Sequence, residues 1–126
     1  MSCSYKDLIV WQKARGLAVD VYRITEVFPK SEIYGLISQA RRAAVSVVSN
    51  IAEGQGRLTR GEFQQFLGHS RGSLLELETQ LAIAVDLQYL SDDEFNRVEL
   101  RIAEVLRLLN GLLESLRARG NAAGAA

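Results

Sequence analysis

Cysteine occurs once in this sequence, at Cys3, and histidine once, at His69. A single thiol excludes an internal disulfide and any zinc site built on paired cysteines. A lone imidazole, with Phe66 three residues before it, excludes the Glu-x-x-His pairs of a bundle di-metal centre. Proline also occurs once, at Pro29, so the chain carries a single fixed helix breaker. The longest apolar runs, such as Leu81 to Val85, are far too short to span a bilayer. The first residues, Met-Ser-Cys-Ser-Tyr-Lys-Asp, lack the basic segment and apolar stretch of a secretory signal. These absences lead to the expectation of a cytoplasmic protein with no cofactor, no metal and no membrane partner.

Net charge is also absent, with fifteen basic residues balancing fifteen acidic ones. No global field draws the chain toward nucleic acid. The balance is uneven along the chain: residues 1–60 carry a surplus of four positive charges and residues 61–126 a surplus of four negative ones. Charge neutralisation between helices or between subunits is therefore favoured, and a local basic patch is allowed.

The apolar pattern is helical throughout, and no two-residue alternation occurs. Val10, Ala14, Leu17, Val21, Ile24 and Phe28 follow a 4-3-4-3-4 spacing that Pro29 ends. Ser31 is then the expected N-cap, and Ile33, Ile37, Ala40, Ala44, Val47 and Ile51 form the second seam, closing at Gly54 and Gly56. Thr59 and Glu62 have capping-box spacing before a third seam of Phe63, Leu67, Ser70, Leu74, Leu77, Leu81 and Ala84. Ser91 and Glu94 repeat that signal before Phe95, Val98, Ile102, Val105, Leu109, Leu112 and Leu116. Short connections make successive helices antiparallel neighbours. The expected fold is all-α: an antiparallel up-down-up-down four-helix bundle over residues 1–119, with 120–126 as a flexible C-terminal tail.

Helix two has apolar residues beyond its seam, at Tyr34, Leu36, Ala43, Val45, Val48 and Ala52. They leave a narrow polar stripe of Gln39, Arg42, Ser46, Ser49 and Glu53, matched in helix three by Glu62, Phe66, His69, Ser73, Glu76 and Gln80. A bundle helix needs only about three apolar positions per heptad, so the excess predicts a homo-oligomer. Gln39, Arg42, Asn50, Glu53, Ser73 and Glu76 are the expected interhelical or intersubunit polar network. Within it, the antiparallel register makes Arg42 and Glu76 a candidate ion pair. Glu53 with Glu76 is the sole acid–base or metal pairing in reach, and no second ligand set accompanies it. Gly54-Gln55-Gly56 lacks the lysine and the preceding strand of a phosphate loop. No catalytic residue is assigned, and the chain is read as a non-enzyme. Arg41, Arg42, Arg57, Arg60 and Arg71 form the candidate nucleic-acid contact, although no exposed aromatic platform accompanies them.

Several short motifs then appear in order. They are Trp11-Gln12-Lys13-Ala14, Phe28-Pro29, Glu32-x-x-Gly35-Leu36, Gln39-x-Arg41-Arg42-Ala43, Ser46, Asn50-Ile51-Ala52-Glu53-Gly54 and Gly72-Ser73-x-x-Glu76. Over roughly Tyr5 to Leu116 this ordered set resembles the small bacterial four-helix-bundle proteins of the 23S rRNA-intervening-sequence family. Tyr5, where phenylalanine is commoner, and Ser70, where alanine is commoner, are mild departures. The resemblance implies assembly into a ring, with a pentamer expected, and no settled biochemical activity. A distant relative, the accessory protein of diversity-generating retroelements, is a pentameric bundle that binds nucleic acid and a reverse transcriptase. Two readings follow: a non-catalytic homo-oligomeric scaffold or adaptor for a protein partner, and, as the alternative, shape- and charge-directed RNA binding through the arginines.

Overall fold

A computed structural model describes residues 4–125, the last five by backbone alone. After a single 3-10 turn at Tyr5–Asp7 come α1 (Ile9–Thr25), a second 3-10 turn (Lys30–Glu32), α2 (Leu36–Gln55), α3 (Arg60–Asp86) and α4 (Asp92–Ala125). Each helix packs on two others, α1 on α2 and α4, and α3 on α2 and α4, while among the described residues the backbones of the diagonal pairs do not approach closely. Paired residues run in opposite order: Ser46 meets Ser73 while Val47 meets Ser70, and Lys13 meets Glu104 while Asp20 meets Arg101. The molecule is the antiparallel four-helix bundle that the apolar spacing predicts.

All four seams supply the core. Leu17, Val47, Ile51, Leu67, Leu74, Leu77, Leu81, Ile102, Val105 and Leu109 are fully buried. Truncating one such leucine to alanine typically costs about 2–5 kcal/mol. Phe28 is buried although it lies beyond the end of α1, where it packs against Tyr89 at 5.7 Å between ring centroids.

The caps explain where the helices begin and end. Thr59 Oγ1 accepts the Glu62 N–H at 3.1 Å to open α3, and Ser91 Oγ accepts the Glu94 N–H at 3.2 Å at the start of α4. Asp92, Asp93 and Glu94 also place three carboxylates in the first turn of α4, where the helix dipole favours negative charge. α3 ends with Gln88 in the left-handed region, at φ 65°. The Gln88 and Tyr89 N–H groups turn back to the carbonyls of Val85 and Ala84, at 2.9 Å each, the pairing of a Schellman motif.

Helix two departs from expectation. Ser31 does not cap it; Ser31 lies within the 3-10 turn, and α2 begins five residues later at Leu36. The cap is Glu32, whose Oε1 accepts the Leu36 N–H at 3.0 Å while Oε2 accepts the Tyr89 hydroxyl at 3.0 Å. Gly35 permits this, because a Cβ there would collide with Glu32 Oε1. Ile33, expected in the seam, is consequently 55% exposed ahead of the helix. At the other terminus α4 continues to Ala125, into the 120–126 stretch read as a tail, and Ala126 lies outside the described residues.

Candidate functional site

The contact between α2 and α3 is built from small residues. A methyl group at Gly54 would lie 2.9 Å from both Phe63 Cδ1 and Phe66 Cβ, so Phe63 and Phe66 of α3 pack directly on the α2 backbone there. One turn further along, Ser70 Oγ donates to the Val47 carbonyl at 2.8 Å from a fully buried position. Ser46 and Ser73 share a 2.8 Å hydroxyl–hydroxyl hydrogen bond. Asn50 Nδ2 closes the set by donating to the Ser46 carbonyl at 2.8 Å and to Ser46 Oγ at 3.0 Å. These hydroxyls satisfy one another in a narrow interface, which fixes register.

Of the expected polar network, the structure thus brings together Asn50 and Ser73, through Ser46. Gln39 and Glu76 are exposed, and Glu53 pairs instead with Arg57 at 3.7 Å, four residues on and just past the end of α2. No ion pair joins Arg42 to Glu76 among the described residues, and both are exposed. The antiparallel register does place them level, but each side chain extends into solvent rather than toward the other. Ser70 acts within this ladder although its place in the apolar seam disguised it.

The five arginines separate into three groups. Arg41 is structural: its Nε donates to Thr25 Oγ1 at 2.9 Å and its Nη2 to the Tyr22 carbonyl at 3.1 Å. Its guanidinium also lies 4.6 Å from the Tyr22 ring centroid. Arg41 therefore caps the last turn of α1, and Thr25, fully buried, passes its own proton to the Val21 carbonyl. Arg57 is balanced by Glu53 and covers the Phe66 ring at 4.5 Å. Arg42, Arg60 and Arg71 have no carboxylate partner among the described residues. Arg71 Nε donates to Asn110 Oδ1 at 2.9 Å, while Arg60 shares a groove with Arg119 at the α2–α3 end of the bundle. Arg119 belongs to α4, far away in sequence, and no spacing signal connected it to Arg60.

Two surfaces stand out beyond the ladder. Across α1 and α2 runs an apolar groove of about 450 Å³, lined by Ala18, Val19, Tyr22, Val45 and Val48, with Arg15 and Arg23 at its margin. Val45 and Val48 belong to the apolar excess of helix two, whereas Val19 and Tyr22 lie outside the apolar seam of helix one. On α3, Ile83 and Leu87 are exposed within a stretch, residues 72–96, that holds six carboxylates and no lysine or arginine.

Chemically the molecule offers little. Among the described residues no group of three or more His, Cys, Asp or Glu could hold a metal. No helix there is long and apolar enough to cross a membrane. The His69 ring is exposed on α3 and packs edge-on against Phe66 at 6.1 Å. Glu78 and Glu99 meet between α3 and α4, and Glu99 is pushed up to about 7 by its hydrogen bond with Glu78, by burial and by the neighbouring charge.

Comparison with known proteins agrees with this architecture. A crystal structure of a protein of unknown function from the S23 ribosomal protein family of Bacteroides thetaiotaomicron superposes with a TM-score of 0.79 at 20% identity. The match covers 86% of this chain and 98% of that one, and it speaks for the fold alone. No curated protein matches the chain. The model of the 23S rRNA-intervening sequence protein family matches residues 6–111, a span that runs from the first 3-10 turn through the α2–α3 ladder into α4. The chain therefore belongs to the 23S rRNA-intervening sequence protein family.

Proposed function

We propose that this protein is a non-catalytic, cytoplasmic homo-oligomeric scaffold or adaptor, assembled as a ring of about five subunits by the family expectation. The observation that carries the reading is the α1–α2 groove, an apolar surface bordered by Arg15 and Arg23 with no carboxylate in its lining. Its complement is the outer surface of α3, where exposed Ile83 and Leu87 lie within the cation-free acidic stretch. Two different faces that fit each other produce head-to-tail association, which closes into a ring when the rotation permits. Identical faces would instead favour a two-fold dimer. Light scattering in moderate salt is expected to return an integral multiple of 14.0 kDa greater than two. A monomer mass overturns self-association; a stable dimer overturns the ring.

The second reading is RNA binding, favoured by Arg42, Arg60 and Arg71, whose charges no carboxylate neutralises among the described residues. Repetition around a ring would multiply them into a sizeable positive surface. Binding of structured RNA should then weaken steeply with salt as counterions are released, and Arg60→Gln with Arg71→Gln should flatten the slope. Absence of salt-sensitive binding at low ionic strength rules this reading out and leaves the scaffold reading standing.

A further inference from the structure

Between α3 and α4 lies a furrow of about 590 Å³ lined by Gln64, Arg71, Asn110, Leu113, Glu114 and Arg117. It shares no residue with the α1–α2 groove or with the exposed apolar residues of α3. We propose that this furrow binds the terminal phosphate or pyrophosphate group of a small phosphorylated ligand, held between Arg71 and Arg117.

The inference begins with Arg71. Its Nε is spent on Asn110 Oδ1 at 2.9 Å, which orients the guanidinium plane while its four Nη hydrogens remain free. A guanidinium held at Nε and free at both Nη atoms presents the planar fork that matches an oxyanion. Asn110 uses its oxygen for that bond, so its Nδ2 hydrogens are also available as donors. Gln64 is half-buried and has no hydrogen-bond partner among the described residues, which adds a second carboxamide. Arg117 lines the same furrow and is held by Glu114 one turn back on α4.

Glu114 indicates which anion fits. Arg117 already has one carboxylate, so a monocarboxylate ligand would only replace like with like. A phosphate monoester carries a charge of about −1.5 to −2 and three acceptor oxygens, so it can displace Glu114 and engage both guanidinia together. Leu113 is the only apolar residue of the lining, and no aromatic side chain is present. A nucleobase therefore has no stacking surface there, and recognition falls on the phosphate.

The test is titration calorimetry on the intact protein with inorganic pyrophosphate, ATP and a short RNA lacking terminal phosphates. Pyrophosphate and ATP are expected to bind once per chain. Arg71→Gln and Arg117→Gln should each weaken them by about tenfold or more, the value of a lost charge-assisted hydrogen bond. Glu114→Gln should tighten binding, since it releases Arg117; a structural role for this pair would not produce that gain. Thermal melts establish that each variant is folded, and should Arg71→Gln not fold, Glu114→Gln decides. The proposal is overturned if pyrophosphate does not bind at low ionic strength, or if Glu114→Gln leaves its affinity unchanged or weaker. It is equally overturned if the RNA binds through Arg71 while pyrophosphate does not, because the site then belongs to a nucleic-acid strand. None of these failures touches the assembly reading.

Discussion

Gln88 ends α3 with φ at 65°, a conformation that glycine adopts freely and other residues adopt at a cost of roughly 1–2 kcal/mol. The Schellman hydrogen bonds from Gln88 and Tyr89 require that geometry. Gln88→Gly is therefore expected to stabilise the bundle by about 0.5–1 kcal/mol, after allowing for the larger entropy of glycine in the unfolded chain. Urea denaturation measures this, and a destabilised variant would mean that the glutamine side chain contributes contacts that outweigh the backbone cost. Beside it, Tyr89 binds Glu32, and that hydrogen bond, followed by desolvation, raises the phenol above its ordinary range. One carboxylate thus joins the α3–α4 turn to the start of α2, a role that the pairing of Glu32 with Gly35 in the sequence hinted at without revealing the tyrosine.

Between elements, the α3–α4 contact contains the most pH-sensitive group. Glu99 is pushed up to about 7 by its hydrogen bond with Glu78, then by burial and by the charge of Glu78. A carboxyl that is harder to ionise in the folded state than in the unfolded one contributes stability while protonated. That contribution is complete below the unfolded pKa of about 4.3 and disappears as pH rises through about 7. The melting temperature is accordingly expected to decline between about pH 5 and 7.5, and Glu99→Gln should remove most of that slope and raise stability at the upper end. An unchanged slope in the variant would show that another group is responsible. The serine ladder between α2 and α3, by comparison, has no titratable member: Ser46, Ser70 and Ser73 keep their hydrogen bonds whatever the pH.

At the scale of the whole molecule, charge is unevenly distributed along the chain, basic in residues 1–60 and acidic in residues 61–126. The α1–α2 groove has arginines at its margin, whereas the acidic stretch 72–96 contains no cation. Arg42, exposed on α2, and Glu76, exposed on α3, make no ion pair within one chain, so they are free to meet across a subunit boundary. If the ring assembles as proposed, Val45→Asp is expected to dissociate it by placing a charge in the apolar groove. Charge reversal at Arg42 or at Glu76 should each weaken assembly, with the double reversal recovering part of the loss. Strictly additive losses in light scattering would show that those two residues do not meet each other across the interface, while retention of the full oligomer by Val45→Asp would remove the groove from it.

What the sequence determined by itself was the set of helices and much of their ends, because these depend on short-range physics. A 3.5-residue apolar repeat buries one face of a helix wherever that helix sits, and Thr59 and Ser91 cap through bonds only three residues long. Even there, the start of α2 escaped the reading: its cap is a side chain held by Tyr89, 57 residues away, so Ser31 and Ile33 have roles that no local pattern encodes. Arg57 pairs with Glu53 four residues away, a contact that local spacing allows, whereas the partners of Arg41 and Arg71 were decided by tertiary structure. Arg41 turns away from solvent because Thr25 and the end of α1 lie within its reach, and Arg71 joins a furrow because Asn110 and Arg117 approach from α4. A long, flexible cation takes whichever acceptor the packing delivers. Which acceptor that is depends on the helices that are neighbours and on their register, α1 with α2 for Arg41 and α3 with α4 for Arg71.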